Sequence, residues 1–359
     1  MKKFFTVFAL ACCFLYAKPQ NQVAKTSFPD KILLIDKLVK KEMEKQHIFG
    51  LSLGIIKNGR LVMTRGYGLS NIEQGTPASA ETVYKIGSVS KQMVAAAAML
   101  MIQQGKLKLT DSLPMFFKGA PAAWNKITIR HLFNHTSGLP RDAPGLDNMK
   151  EQSDSISIRS AYTSKLLFEP GTDWKYCNLG YFMLADIIRQ LSGETFPDFM
   201  QKEIFNKYKL LDTRTTSTSA IVKNRAAGYV YKNADSIYNA KDYIALRPSG
   251  AFLSSVSDLA KWEMLMQNND MLHKENWDKM WNDTVPTSKA SQTPTGYYGY
   301  GWDVSEYKNL KVVHHNGTLP GFTSSYFRFV ESKSAIIILT NADNAYPKTI
   351  VLGIADLIL

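Results

Sequence analysis

Apolar positions at helical spacing run through residues 29–46, where Ile32, Leu33, Ile35, Leu38, Val39 and Met43 stand among Lys and Glu. That spacing predicts an amphipathic helix near the start of the chain. Two apolar runs follow, residues 51–56 and 61–67, separated by Lys57-Asn58-Gly59-Arg60. Asn-Gly between such runs predicts a type I′ hairpin, because both central residues of that turn need positive φ. Residues 93–102 are apolar nearly all round, the pattern of a buried helix, and Gly105 is placed to cap it. From Leu109 to about Tyr243 the pattern is mainly helical and rich in loops, with turn signals at Pro140, Pro144-Gly145, Glu169-Pro170-Gly171 and Ser192-Gly193. Strand character returns over residues 297–307, 311–315, 324–330 and 334–340, and residues 346–359 read as a terminal helix.

Strands at both ends around a helical block predict an α+β fold. One antiparallel sheet would be built from both termini and flanked by helices, with a mainly helical lobe inserted. The expected division is a leader at 1–17 and a single domain at 18–359. Within that domain, 18–108 and 244–359 form the α/β lobe and 109–243 the helical lobe.

The leader changes the picture of where the chain works. Lys2 and Lys3 precede an apolar stretch at residues 4–16 and a small residue, Ala17, which is the form of a cleavable export signal. The stretch is too short for a spanning helix, so the expectation is an exported protein, periplasmic or extracellular, without a transmembrane segment in its mature chain. Cleavage as a lipoprotein before Cys12 fits less well, because Cys13-Phe14-Leu15-Tyr16 continues apolar. Cys12 and Cys13 leave with the signal, and Cys177 alone cannot form an internal disulfide. The formal charge of +12 is spread among acids rather than gathered into a stripe, which argues against a nucleic-acid surface.

Candidate chemistry centres on Ser88-Val89-Ser90-Lys91, at the head of the buried helix. A Ser three positions before a Lys puts hydroxyl and amine on one helix face. A serine hydroxyl is a poor nucleophile near neutral pH, and a lysine partly desolvated by an apolar helix can have its pKa lowered enough to serve as its base. Backbone N–H groups at the same helix start can meet an oxyanion. Taken alone, the spacing is also that of an ordinary polar helix start. Two more clusters stand apart: Tyr176-Cys177-Asn178, with a phenol able to relay a proton and a carboxamide able to hold a substrate amide, and His315-Asn316-Gly317-Thr318, closing a strand. In isolation these are a packed aromatic with a loop residue, and a turn with a surface histidine. His131 and His135 stand at i,i+4 without the acidic residue of a zincin, so no metal and no cofactor are expected.

Together, in this order, the three clusters resemble the serine β-lactamase-like family, which includes class C β-lactamases, D-alanyl-D-alanine carboxypeptidases, D-aminopeptidases and esterases. Leu132 to Pro140 (Leu-Phe-Asn-His-Thr-Ser-Gly-Leu-Pro), Phe168-Glu169-Pro170-Gly171 and Tyr298-Gly299-Tyr300-Gly301-Trp302 add to the likeness, which covers nearly the whole mature chain. The resemblance implies Ser88 as acylated nucleophile and Lys91 and Tyr176 as a shared proton-transfer unit. It implies Asn178 on the substrate's acyl-side amide, His315 facing a substrate carboxylate or leaving group, and Gly317 and Thr318 on the substrate-binding strand. The backbone N–H groups of Ser88 and Thr318 would form the oxyanion hole. The implied activity is that of a serine hydrolase acting through an acyl-enzyme on D-amino-acid peptides, amides or esters, with small-molecule or peptide substrates that include peptidoglycan fragments. A class C-like β-lactamase and a non-catalytic sensor of wall fragments or β-lactams are the alternatives.

The third motif departs from Lys-Thr-Gly. An imidazole with an ordinary pKa of about 6.5 is mostly neutral at about pH 7.5. The expectation is therefore weak recognition of β-lactam acids, with affinity for carboxylated substrates falling as pH rises through the pKa of His315.

Overall fold

The computed structural model describes residues 28–147, 149, 153–215, 220–233, 236–242, 248, 250, 252–288 and 296–359. The expected leader at 1–17 lies outside them. Helix α1 (Phe28–Gln46) is followed by β1 (Gly50–Lys57), β2 (Arg60–Asn71) and the short β3 (Thr76–Pro77). Asn58 and Gly59 turn the first hairpin with φ of 51° and 75°, the backbone that Asn-Gly favours. A two-residue strand, β4 (Tyr84–Lys85), leads through a single 3₁₀ turn at Gly87–Val89 into α2 (Ser90–Gln103). Gly105, at φ 72°, donates its N–H to Ile102 O and closes the end of that helix.

The middle of the chain supplies α3 (Ile129–Phe133), α4 (Asp154–Ser160), α5 (Asn178–Ser192) and α6 (Phe196–Met200). It also contains strands that the apolar pattern does not predict: β5 (Arg214–Thr215), then a hairpin of β6 (Tyr229–Asn233) and β7 (Ser236–Asn239). β8 (Phe252–Ser254) pairs with both β4 and β5. Strands of two or three residues, as β5 and β8 are, are too short to show a period, and most of β6 and β7 is partly or wholly exposed. Two further helices that the pattern does not single out follow, α7 (Val256–Asn268) and α8 (Lys274–Asn282).

The last stretch is β9 (Val285–Pro286), β10 (Tyr297–Tyr298), β11 (Asp303–Tyr307), β12 (Leu310–Leu319), β13 (Phe322–Phe329), β14 (Ser334–Thr340) and α9 (Pro347–Ile358). Among the described residues the main sheet runs β3-β2-β1-β14-β13-β12-β11-β10-β9, antiparallel throughout. β1 from one end of the chain and β14 from the other lie side by side within it, Leu53 opposite Ile338. The fold is therefore α+β with the sheet built from both termini.

Both faces of that sheet are covered, and the strand pattern follows from it. Leu51, Leu53, Ile55, Ile336 and Ile338 point into a core shared with Ile35 and Val39 of α1 and Ile350, Val351 and Ile354 of α9. Ile56, Ile337 and Leu339 point the other way, into a larger core with α2, α5 and α7. A strand buried on both faces reads as a continuous apolar run, as residues 335–339 do. The catalytic candidates lie on the α2 side.

Candidate active site

Ser88 sits in the 3₁₀ turn before α2, partly exposed, with Lys91 one turn on and fully buried. The turn is fixed from below. Ser90 Oγ donates to Gly87 O (2.7 Å) and accepts Phe252 N–H (3.2 Å), so β8 holds the head of the helix. Gly87 takes φ 53°, and a Cβ there would stand 2.7 Å from Thr318 N and 2.9 Å from the Gly317 Cα. Gly317 is constrained in turn, since a side chain would collide with Ile86 O and Ser324 Oγ. These two glycines let the end of β12 lie directly against the turn that carries Ser88. Ser324 Oγ, donating to Ile86 O at 2.8 Å, ties the contact down.

Lys91 Nζ is 3.1 Å from Ser88 Oγ and 2.9 Å from Asn178 Oδ1. Burial pushes its pKa down to about 7, against smaller opposing effects led by the Asp142 carboxylate. The amine is thus half neutral near physiological pH. Tyr176 lies with its ring 4.7 Å from that amine and its phenol hydrogen-bonded to the Ser88 side chain. Burial raises the phenol well above its ordinary value, so at neutral pH it is an un-ionised O–H. Asn178 opens α5, and its N–H and that of Leu179 both donate to Arg141 O (2.7 and 3.1 Å). Cys177 caps the helix, its sulfur accepting Gly180 N–H and donating to Pro140 O at 3.3 Å each. Burial raises that thiol to about 11, leaving it unreactive packing.

Ser88, Lys91, Tyr176 and Asn178 are therefore brought into one constellation, with Gly317 and Thr318 at its edge. His315 lies on the same face of the sheet, with its ring centroid 6.3 Å from that of Tyr176. Its chemistry differs from the expectation of an ordinary imidazole. It is buried, Nε2 lies 3.0 Å from Tyr298 Oη, and Nδ1 lies 2.7 Å from Asn316 O. A neutral ring donating from Nδ1 to the carbonyl and accepting the phenol proton at Nε2 satisfies both contacts. Burial, helped by the Lys91 amine, lowers its pKa to about 3. His315 therefore does not titrate near 6.5, and the expected loss of carboxylate affinity through its pKa does not hold.

The neighbouring His314 points to the opposite face and stacks on Phe327 at 4.5 Å. His131 accepts Thr128 N–H in the capping box of α3, and His135 Nδ1 accepts Cys177 N–H at 3.2 Å, so the i,i+4 pair serves two separate structural contacts.

Residues 35–357 match the model of the Beta-lactamase family. The chain belongs to that family. It is 26% identical over 327 residues to Protein flp of Staphylococcus aureus (strain N315), covering 88% of this chain and 64% of that protein. The chain thus spans somewhat less than two-thirds of that relative's length. The octameric penicillin-binding protein homologue from Pyrococcus abyssi superposes with a TM-score of 0.82 at 25% identity, over 91% of this chain and 77% of the other. D-amino acid amidase from Ochrobactrum anthropi SV3, solved with D-phenylalanine, gives a TM-score of 0.79 at 20% identity, over 91% and 96%.

Two residues lie outside the roles that the motifs of this β-lactamase-family chain suggest. Tyr298, which the sequence offers only as part of a family-like run, holds His315. Asp142, two residues past Pro140, accepts from Asn178 Nδ2 at 2.8 Å. Neither contact leaves a trace in local spacing, because each joins segments 17 and 36 residues apart.

Proposed function

We propose that the chain is a serine hydrolase that works through an acyl-enzyme on amides or esters of D-amino acids and short peptides. The observation that carries this reading is Lys91 Nζ, 3.1 Å from Ser88 Oγ with its pKa lowered to about 7 by burial. Neutral Lys91 takes the Ser88 proton as Oγ bonds to the substrate carbonyl carbon. The backbone N–H groups of Ser88 and Thr318 receive the oxyanion. Collapse breaks the bond to the amine or alcohol, which leaves with a proton relayed from Lys91 through the Tyr176 phenol. Water, deprotonated by the same pair, then releases the acid and restores Ser88. The lowered Lys91 pKa and the raised Tyr176 pKa favour the amine as base and the phenol as relay.

The D-amino-acid preference draws on the structural likeness to D-amino acid amidase and on the neutral His315, which supplies no cation for a β-lactam carboxylate. The expected leader adds an exported setting, testable by N-terminal sequencing of the secreted protein. A fluorophosphonate adduct should map to Ser88 by peptide mass spectrometry and vanish in Ser88→Ala. An adduct on Ser90, Ser137 or Cys177 would sink the assignment, and nitrocefin turnover far above ester turnover would favour the β-lactamase alternative.

A further inference from the structure

The mouth of the site carries two exposed charges of opposite sign, and they are not equivalent. Arg141 and Asp142 follow the Gly138-Leu139-Pro140 turn. Arg141 O accepts two N–H groups from the first turn of α5, so the backbone at this point is locked to the helix that carries Asn178. Asp142 Oδ1 accepts from Asn178 Nδ2 at 2.8 Å, while Asn178 Oδ1 accepts from Lys91. One carboxamide therefore bridges the catalytic amine and the carboxylate. The second oxygen of Asp142 is 3.4 Å from Arg141 Nε, and its side chain remains 43% exposed. A carboxylate offers about four lone-pair sites, so room for a further donor remains. The Arg141 guanidinium is 66% exposed, with its carbon 5.7 Å from the Tyr176 ring centre.

At Lys91, after burial itself, the Asp142 carboxylate is the strongest neighbouring charge, ahead of the Arg141 guanidinium. Tyr176 is un-ionised and His315 neutral, so the charges at this rim are those of Asp142 and Arg141, and Asp142 is the one in contact with Asn178. Asn178 is the group expected to hold the substrate's acyl-side amide, and a carboxylate in contact with it lies where an α-substituent of the acyl group would reach. We propose that Asp142 selects substrates by charge, receiving the free α-ammonium of an amino-acid amide or ester bound at Ser88. The proposal rests on the acyl-enzyme reading above and narrows it to substrates with an unblocked amine. N-acylated, and above all N-succinylated, substrates bring no cation or a like charge to Asp142, and are disfavoured.

Three methyl esters test this with one leaving group: D-phenylalanine, 3-phenylpropionate, which lacks the amine, and N-succinyl-D-phenylalanine. The native protein should favour the amine-bearing ester over the des-amino ester by about tenfold in kcat/KM near pH 6.5, chiefly through KM, with the succinyl ester slowest. That ratio should shrink as pH rises through the substrate amine's pKa of about 7 to 8. Lys91 is coupled to Asp142 and titrates in the same range, so the pH course of the ratio is compared with that of Asp142→Asn, while Arg141 keeps its charge throughout. Asp142→Asn, which can still accept from Asn178, should bring the ratio near one and remove its pH dependence, and Asp142→Glu should restore part of both. A purely structural Asp142 would lower all three rates together. A native ratio near one, an unchanged ratio in Asp142→Asn, or a preference for the succinyl ester through Arg141 overturns the inference while ester turnover leaves the acyl-enzyme reading intact. Failure of all three esters to acylate Ser88 removes both.

Discussion

Lys91 and Arg328 are both buried cations beneath the same face of the main sheet, and the protein treats them in opposite ways. Arg328, on β13, has its Nε 2.7 Å from Glu263 Oε2 on α7, and Tyr326 Oη donates to the same oxygen at 2.7 Å. Gln267 Nε2 meets the other oxygen at 2.8 Å, and the guanidinium carbon lies 4.5 Å from the Trp281 ring centre. Lys91 instead bonds to a hydroxyl and a carboxamide, and burial brings its pKa to about 7. A buried cation with a carboxylate in contact keeps its charge and acts as a strut. One that burial brings to a pKa of about 7 gives up its proton easily, which is what a base must do. The contrast separates a residue that holds the fold from the one proposed as its base.

The largest break in that contrast should come from Lys91→Met. We expect kcat/KM for an ester at pH 8 to fall by about a thousandfold or more, since base and nucleophile act as a unit. Stability should not fall with it. The folded pKa lies below the unfolded value, so the unfolded chain binds the extra proton between about pH 7 and about pH 10.4. The cost of burying Lys91 is therefore greatest below pH 7 and fades above the unfolded pKa. At pH 6 the variant should melt no lower than the native protein, as followed by circular dichroism. A large drop in melting temperature would make Lys91 a strut after all.

Glu263→Gln should show the reverse. Leaving Arg328 buried without its carboxylate should cost about 3–5 kcal/mol of stability by denaturant titration, while the folded fraction still hydrolyses ester. An inactive but stable Glu263→Gln would erase the distinction. Tyr176→Phe comes next, with an expected loss of about a hundredfold in kcat/KM. With Tyr176 and Lys91 sharing the Ser88 proton, as proposed, the double variant should lose far less than the product of the single losses. Independent multiplication would show that the phenol works outside the relay.

Part of this arrangement is legible in the amino-acid sequence alone. Asn58-Gly59, the apolar run after Ser88 and the Ser88-Lys91 spacing are local signals, and each names its own element. Tyr298 under His315 and Asp142 beside Asn178 are contacts between distant segments, so no window of sequence contains them. The strands β5 and β8 are too short for a period, and β6 and β7 are too exposed to carry an apolar one. The charge state of His315 is hidden from the sequence for a related reason. A reference pKa describes a solvated ring, whereas this one is buried and already bonded at both nitrogens.

The pH profile offers the finest test of the comparison. For a neutral ester, kcat/KM should rise about tenfold per unit below pH 7 and level off above it, because only unprotonated Lys91 can take the Ser88 proton. His315, with its pKa near 3, should add no second limb between about pH 5.5 and about pH 8.5, so His315→Gln should change the height of the curve and leave the midpoint nearly in place. Asp303 on β11 is the other group brought to about 7, raised by burial against the pull of Lys348 and Lys91. Its negative charge slightly raises the Lys91 pKa, so Asp303→Asn should move the midpoint down, by less than about one unit, while keeping the limb. If instead the limb disappears in Asp303→Asn and survives a shift of the Lys91 environment, the titrating group is the carboxylate. Lys91 would then be charged at its working pH, and the contrast with Arg328 would be lost.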